Sequence, residues 1–250
     1  MELDFEPDQE DLRDAIRSVL TKESPVSLAR AVVEDDRAPV ELWKTFVDLG
    51  WPSLTVPEEY GGVGLGPIEA AILAEELGRV IAPGALFPTV TQFVPVVREC
   101  GTPDQQARWL GAVAAGECAG ALAIGEATAS FDPATVGATY RLDGDELELS
   151  GTKHHVVEGD TVDELVVVAR GDGGVRAIVV PVADVETTRE HTLDDSRHLV
   201  TVALDGVRVS TDRLLGKGDA TDALRRAVEE ATLGLALEMV GTAQTILDVT

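Results

Sequence analysis

The feature that most constrains this fold is a double change in the spacing of apolar residues along the 250-residue chain. Up to about Gly111, apolar residues recur every three or four positions, which is the helical spacing. Between Ala119 and Val209 they fall in alternating or β-branched runs typical of strands, and after Asp219 the helical spacing returns. Helices and strands that are segregated in this way favour an α+β, multidomain protein over one with alternating strands and helices.

The N-terminal part predicts five helices. Acidic residues from Asp8 to Asp11 suit the start of the first, because carboxylates stabilise a helix N-terminus. Pro39 opens the second and Gly50 closes it, in the positions that these two residues favour at helix ends. Three further helices are expected to begin at Pro67, near Thr89 and at Thr102. The pair Glu75-Glu76 is interpreted as a solvated helix face.

The middle part predicts an antiparallel β-barrel or sandwich. Two short strands flank Asp143-Gly144, a dipeptide that favours a tight hairpin. Apolar runs at 164–170 and 175–182 are separated by a glycine-rich turn, and Asp205-Gly206 marks another turn. A parallel sheet anywhere in 119–209 would count against the family assignment made below. The expected domains are a helical domain at 1–115, a β-domain at 116–215 and the first helix of a helical bundle at 216–250.

The last helix carries a long apolar stripe from Leu224 to Val249. Such a face is larger than soluble monomers usually expose. We therefore expect either that the sequence is a fragment or that another chain covers the stripe, and we expect no stable monomer. The partner is expected to be a homologous subunit or a second copy.

Composition excludes several function classes. The formal net charge of −25 argues against nucleic acid and against anionic membranes, both of which bind basic surfaces. Cys100 and Cys118 have no metal or redox spacing, and His154 and His155 are expected on opposite faces of a strand, where they cannot share a metal. The acidic N-terminus lacks the apolar segment of a signal peptide, so a cytoplasmic protein is expected.

Two segments resemble the central β-domain of the acyl-CoA dehydrogenases: AGALAIGEATASFD, and LELSGTKHHVVEGDTVDELVVVAR. The N-terminal stretch PEEYGGVG is similar to a specific motif of the same family. The order of parts is also similar, and it implies a helical domain, a central β-barrel or sandwich and the start of a C-terminal bundle. Motif residues that match the family are Glu126, Asp132, Gly151, Thr152 and Lys153.

The resemblance implies α,β-dehydrogenation of an acyl-CoA thioester with FAD, with electron-transfer flavoprotein as electron acceptor. It implies no catalytic residue in this chain, because the family's glutamate base belongs to a region expected beyond Thr250. It also implies a homologous subunit in a homo- or heterotetramer. Some actinobacterial members, tied to steroid side-chain breakdown, form heterotetramers of unlike subunits in which each has lost part of the site.

The positions that meet the flavin in this family carry unusual residues. The resemblance assigns Gly125, Phe131, His155 and Val157 to positions where the family has a hydroxyl, a hydroxyl, a tryptophan and a hydroxyl. Ser130 could serve the phosphate instead if the register shifts by one. Losing several hydrogen bonds of about 1 kcal/mol each would weaken flavin binding by orders of magnitude.

The remaining candidate residues are Glu126 in the cofactor site, and Asp132 and Arg197 near the substrate. For Arg197 a plain surface role is the alternative. Two functions remain open: a subunit of an FAD-dependent acyl-CoA dehydrogenase, and a non-catalytic, FAD-deficient partner that stabilises and shapes the site of an active homologous subunit.

Overall fold

The computed structural model describes residues 5–250, and it contains helices, then strands, then one long helix. The change from helices to strands falls between Ala114 and Gly120, and the change back falls between Ser210 and Thr221. The predicted α+β class is confirmed, whereas the division into domains at 115 and 215 stays a prediction, and its first four residues lie outside the described part. The N-terminal helices are α1 (Pro7–Glu23), α2 (Val26–Asp35), α3 (Val40–Asp48), α4 (Pro67–Val80), α5 (Leu86–Pro88), α6 (Val94–Cys100) and α7 (Pro103–Ala114).

Local chemistry explains the helix ends. Pro67 is the first residue of α4, where its missing N–H costs nothing because that group would have no helical partner. Thr102 caps α7 by accepting a hydrogen bond from the Gln105 N–H, while the Gln105 side chain accepts one from the Thr102 N–H. A five-residue π-helical turn at 89–93 joins α5 to α6. Helix α2, which the sequence did not predict, lies between α1 and α3.

The β-part has two sheets. The larger sheet has the order β1-β5-β2-β3-β9, with β6 paired to β5, and the smaller has the order β4-β8-β7. Val and Leu side chains of the central strands fill the core between the sheets. The strands are β1 (Gly120–Ala123), β2 (Thr139–Asp143), β3 (Glu146–Ser150), β4 (Thr152–Val157), β5 (Glu164–Gly171), β6 (Gly174–Pro181), β7 (Glu186–Arg189), β8 (Leu199–Ala203) and β9 (Val207–Ser210).

The expectation of purely antiparallel pairing was wrong. Strand β1 runs parallel to β5 over four residue pairs, and β2 meets β5 in parallel at Thr139 and Arg170. A parallel pair needs a long crossover, and the forty residues between Ala123 and Glu164 supply one. The criterion that a parallel sheet would count against the family was therefore too strict, because the comparisons below support that family.

The turn at Asp205-Gly206 does not close a hairpin. Strand β8 pairs with β4 and β7, whereas β9 pairs with β3, so the chain crosses from one sheet to the other at this turn. The Asp205 carboxylate accepts a hydrogen bond from the Gly151 N–H at 2.8 Å. The turn thereby joins the ends of both sheets.

The terminal helix α8 (Thr221–Asp248) packs along α4 at backbone distance. A Cβ atom added to Gly241 would lie 1.9 Å from the Glu75 carbonyl oxygen, so only glycine fits there. The Thr242 hydroxyl donates a hydrogen bond to the Gly78 carbonyl, and the Thr245 hydroxyl donates one to the Arg79 carbonyl, each at 2.9 Å. This inner face fixes α8 to the helical part of the chain.

The opposite face of α8 is exposed and apolar. The predicted stripe is divided: Leu224 is buried against the β-part, whereas Met239 and Val249 are exposed. Along 232–247 the charged residue is Glu238, which is buried. Among the described residues, no helix is both long enough and apolar enough to span a bilayer.

Candidate functional site

The matching motif residues Glu126 and Lys153 form a buried ion pair. The Lys153 side chain is fully buried, and its Nζ lies 2.7 Å from a Glu126 carboxylate oxygen. That carboxylate also accepts hydrogen bonds from the Gly137 and Ala138 N–H groups, each at 2.8 Å. Burial raises the pKa of Glu126, but Lys153 and the two N–H groups outweigh it and hold this pKa below its usual value. Glu126 therefore closes the loop 126–138, with both of its carboxylate oxygens bound by groups of this chain.

The same loop is held at its other end by Arg170. This guanidinium donates a hydrogen bond of 2.8 Å to the Ala134 carbonyl. The Ser130 hydroxyl accepts hydrogen bonds from the Thr135 hydroxyl at 2.8 Å and from the Asp132 N–H at 3.3 Å. Ser130 is consequently engaged inside the loop.

Gly125 and Phe131 lie against each other. A Cβ atom added to Gly125 would lie 2.7 Å from the His154 carbonyl oxygen and 3.2 Å from the Phe131 ring. Real Cβ atoms are not found as close as 2.7 Å to a backbone oxygen, so the backbone itself has adapted to glycine at this position. Phe131 lies beside it with 47% of its surface exposed.

His155 lies at a β-bulge with its backbone in the left-handed region. Its φ is +57°, and the register of β4 against β8 shifts between Lys153 and Val156. The Glu190 carboxylate accepts a hydrogen bond from the His155 N–H at 3.0 Å and contacts Nδ1 of the ring at 2.5 Å. The bulge thus presents His155 in a fixed orientation, with one ring nitrogen held by a carboxylate.

Because of the bulge, His154 does not lie on the opposite face of the strand from His155. His154 and His155 were expected on opposite faces, but both rings approach Glu190, at 3.6 and 2.5 Å. The extra residue in the strand changes the alternation that the expectation assumed. No group of three or more metal-ligating side chains occurs in the part of the chain that the structure describes.

Val157 is the last residue of β4. It is half-buried and pairs with Leu199.

Arg197 is not a plain surface residue. Its guanidinium forms an ion pair with Glu238 of α8 and lies 4.3 Å from the centre of the Phe87 ring. Burial lowers the pKa of Arg197 to about 10, although Glu158 and Asp194 raise it. Arg197 therefore ties the loop before β8 to α5 and α8.

Asp132 lies at the rim of an open groove of about 320 Å³ between the loop 131–133 and α8. One Asp132 carboxylate oxygen lies 3.4 Å from the guanidinium of Arg225, which also contacts Asp222. The groove is lined further by Val228, Glu229 and Thr232.

A second charged cluster went unnoticed in the sequence. Arg189 contacts Asp36 at 2.5 Å and Asp160 at 2.6 Å, which connects β7 to the end of α2. Nδ1 of His198 lies 3.5 Å from Asp160. Asp160 holds the pKa of His198 above its usual value, while burial opposes this. These four residues are far apart in sequence, so no local motif predicts that they lie together.

The interpretation of Glu75-Glu76 as a solvated helix face was wrong for Glu76. This residue is 1% exposed, and its carboxylate accepts hydrogen bonds from Arg17.

Comparison with known proteins finds similarity to the acyl-CoA dehydrogenases. Residues 6–117 match the family model described as the acyl-CoA dehydrogenase N-terminal domain. The chain is 27% identical over 249 residues to the short-chain specific acyl-CoA dehydrogenase of Bos taurus, covering 95% of this chain and 60% of that protein. It is 31% identical over 192 residues to acyl-CoA dehydrogenase FadE12 of Mycobacterium tuberculosis, covering 72% and 49%. The chain thus spans about half to three fifths of these relatives.

A solved structure gives the same fold. The ChsE4-ChsE5 complex from Mycobacterium tuberculosis superposes on this chain with a TM-score of 0.86 at 23% identity. The match covers 100% of this chain and 67% of the solved one. At this identity the likeness establishes the fold.

Proposed function

We propose, from the premise that this chain belongs to the acyl-CoA dehydrogenase family, that it is a non-catalytic subunit of a hetero-oligomeric acyl-CoA dehydrogenase. In this proposal a homologous subunit holds the FAD, and this chain stabilises that subunit and forms part of the wall around its acyl-CoA site. The observation that carries the proposal is the contact of Gly125 with Phe131 and the His154 carbonyl, which closes the position where the family resemblance expects a flavin-binding hydroxyl.

The family is FAD-dependent, so the fit of this chain's own residues to FAD decides the proposal. At position 125 a hydroxyl is missing and its Cβ would clash with backbone. At position 155 the N–H and the ring nitrogen Nδ1 are already bound by Glu190. Val157 offers no polar atom, and the Ser130 hydroxyl is used within its own loop. These residues do not fit the cofactor.

The magnitude of the mismatch is large. Three missing hydroxyl contacts and one missing stacking contact, at roughly 1 kcal/mol each, amount to about 4 kcal/mol. That difference corresponds to roughly a thousandfold loss in affinity. A flavin held at nanomolar concentration in a complete site would be held only at about micromolar concentration here.

Contacts within the chain hold two loops of the β-part in place. The Glu126–Lys153 ion pair and Arg170 hold the loop 126–138, and Arg197 holds the loop before β8 against α8. Because these contacts lie within the chain, we expect the wall that they form to keep its shape without a partner. This suits a subunit whose task is to stabilise and shape. Acyl-CoA and electron-transfer flavoprotein are the proposed partners of the whole assembly, and a cytoplasmic location is proposed with them.

A second candidate is a dehydrogenase subunit that binds FAD in an altered pocket. The groove between the loop 131–133 and α8 favours it, because Arg225 places a cation beside an exposed aromatic ring. Three carboxylates line or adjoin the same groove, those of Asp132, Asp222 and Glu229, and they oppose the binding of an anionic pyrophosphate.

FAD titration of the purified chain separates the two candidates. Binding is followed by calorimetry and by the absorption bands of the flavin, with bovine short-chain acyl-CoA dehydrogenase as the positive control. We expect a colourless protein and a dissociation constant no tighter than about 1 µM. Stoichiometric FAD in the purified chain, or nanomolar affinity, would favour the second candidate.

Co-expression tests the hetero-oligomer itself. The chain is co-expressed with each acyl-CoA dehydrogenase homologue from its own genome, and complexes are isolated through a tag on this chain. We expect one homologue to co-purify with FAD and to oxidise an acyl-CoA only in the complex. A homologue that binds FAD and turns over equally well without this chain would contradict the proposal.

A further inference from the structure

Helix α2 is packed more loosely than α4. Of its ten residues Val32 is the buried one, and it belongs to neither of the two hydrophobic cores, the one that fills the β-part or the one among the N-terminal helices. Leu28 is half-buried at the edge of the second core, whereas Val26 and Val33 are exposed over 62% and 44% of their surfaces. Helix α4 buries six residues, four of them in the second core. Tertiary packing supplies most of the stability of a helix in a protein, so α2 is weakly held by packing.

Cavities lie beside both halves of α2. One, of about 420 Å³, lies between its first turn, at Ser27 and Leu28, and the adjoining ends of α1 and α3. The second, of about 220 Å³, lies between its last turn, at Val33 and Asp36, and the segment 189–199 of the β-part. A helix with space beside both halves can move without displacing closely packed side chains.

The C-terminal end of α2 requires a cation from another part of the chain. Glu34 and Asp35 lie in its last turn, Asp36 follows as the cap, and that turn contains no basic residue. Carboxylates destabilise this end of a helix, because the helix dipole is negative there. Arg37 comes next in the chain, but it lines the cavity on the other side of the helix.

Arg189 of β7 supplies that cation. Its guanidinium contacts Asp36 at 2.5 Å and Asp160 at 2.6 Å, so one arginine binds the end of α2 to the β-part. We propose that α2 is a strap that closes over the cavity beside segment 189–199, and that the Asp36–Arg189 ion pair is its latch. The non-helical residues Ser24-Pro25 and 36–39 absorb the movement. Opening exposes the cavity together with Val32, which the closed strap keeps from solvent.

Protonation of His198 tightens the latch. Its Nδ1 lies 3.5 Å from Asp160, and the charged groups around it come from three elements: Glu158 and Asp160 after β4, Asp36 of α2 and Arg189 of β7. The adjacent Arg197 is paired with Glu238. Three carboxylates thus face one guanidinium, and a proton on His198 reduces the negative charge where the acidic end of α2 docks. Further titratable groups that line the same cavity are Glu190, His191 and Asp195.

The direction of the pH response follows from the same contacts. The hydrogen bond with Asp160 raises the pKa of His198, while burial opposes this. A raised pKa means that the protonated form is favoured in the closed state. The latch is therefore tight below about pH 6.5, the unperturbed value for histidine, and loosens as the pH rises through the folded pKa.

Hydrogen exchange of the full chain, followed by mass spectrometry, measures the opening, with α4 as the reference within the same molecule. We expect α2 amides to exchange faster than those of α4. Asp36→Asn should accelerate exchange in α2 by roughly twofold to fivefold, the range for an exposed ion pair. The matched control is Glu34→Gln, which removes the same charge from the same helix end, at a residue with no ion pair in the described part of the chain.

The two variants separate the latch from the helix dipole. The dipole alone predicts slower exchange in both, because each removes a carboxylate from the C-terminal end. Asparagine also suits the left-handed backbone of position 36, where φ is +52°. Faster exchange in Asp36→Asn together with equal or slower exchange in Glu34→Gln therefore identifies the latch. Exchange in Asp36→Asn that is unchanged or slower would overturn it, and α2 amides as protected as those of α4 would show that α2 is no strap.

A pH series tests the role of His198. After correction for the intrinsic effect of pH on exchange, protection of α2 should fall between about pH 6 and about pH 8. His198→Gln should abolish this fall, whereas His191→Gln, at an exposed residue of the same cavity, should retain it. A fall that persists in His198→Gln, or protection that does not change with pH in the wild type, would overturn the control of the latch by His198.

Discussion

Replacing Gly241 by alanine should separate α8 from α4. The added Cβ would lie 1.9 Å from the Glu75 carbonyl oxygen and 3.0 Å from the Arg79 nitrogen. Both are backbone atoms inside a helix, so no side-chain rotation can relieve the contact. The helices must move apart by more than about 1 Å, since non-bonded heavy atoms rest roughly 3.5 Å apart.

The free energy of unfolding should fall by several kilocalories per mole. Overpacking of this kind costs about 1–3 kcal/mol. Separation also weakens the hydrogen bonds from the Thr242 and Thr245 hydroxyls to the carbonyls of α4, at about 1 kcal/mol each. Alanine regains about 1 kcal/mol of helix propensity over glycine. The expected net loss is about 2–4 kcal/mol, or roughly 4–16 °C in Tm for a chain of this size.

Urea unfolding followed by circular dichroism measures the change, with Gly234→Ala as the matched control on the same face. There the added Cβ would lie 2.9 Å from the Thr91 Cγ2 and 3.1 Å from the Thr91 Cβ, and its three nearest contacts outside its own helix would all be atoms of this side chain. A shift of a few tenths of an ångström relieves that contact, so Gly234→Ala should lose clearly less stability than Gly241→Ala, by about 1 kcal/mol or less. A Gly241→Ala chain that is as stable as the wild type would show that α4 and α8 do not pack at backbone distance.

The remaining predictions concern the candidate site and the charged clusters. Gly125→Thr should destabilise the chain and should not restore FAD binding, because its Cβ clashes with backbone; a stable variant with tight FAD binding by calorimetry would contradict the fit argument. Phe131→Ser, at a half-exposed site, should be tolerated and should not confer FAD binding by itself. Lys153→Met leaves a part-buried carboxylate without its cation and should cost about 3–5 kcal/mol in urea unfolding, whereas Lys153→Arg should cost less. The pKa of His198 is raised in the folded protein, so its protonation adds stability below the unfolded pKa near 6.5, and this stability is lost as the pH rises through the folded pKa. The wild type should therefore lose stability above about pH 6.5, and His198→Gln should lose less over the same range. The pKa of Asp160, lowered to about 2 because His198 and Arg189 outweigh burial, contributes about 2 kcal/mol above pH 4 that is lost as the pH falls toward 2; Asp160→Asn should therefore approach wild-type stability in acid.

The sequence predicted those parts of the fold that rest on local rules. Pro39, Pro67 and Thr102 set helix starts, and Asp143-Gly144 set a hairpin, because each acts on its own backbone within a few residues. The sequence of a helical part, a strand part and a final helix followed from apolar spacing, although α2 within the first part was missed. The family followed from short motifs, of which the Glu126–Lys153 pair has a clear structural reason.

Long-range geometry could not be predicted in this way. The parallel pairing of β1 with β5 depends on how the intervening chain crosses, and the bulge at His155 depends on its contact with Glu190, thirty-five residues later. Burial of Glu76 depends on Arg17, fifty-nine residues away. The Gly125 position shows the same limit: the missing hydroxyl could be predicted from the sequence, whereas the His154 carbonyl that excludes its return could not.

The two faces of α8 differ in how readily the fold accepts substitutions. Where α4 and α8 meet, a methyl group added to Gly78 of α4 or to Gly241 of α8 would clash with the backbone of the other helix, so neither glycine can be replaced. On the outer face the side chains are about half exposed or more, so one apolar residue can replace another at little cost to the fold. Substitutions on the outer face can therefore change the surface that α8 offers while the protein remains folded. In α8 the residues that hold the fold together are thus separate from those that determine its outer surface.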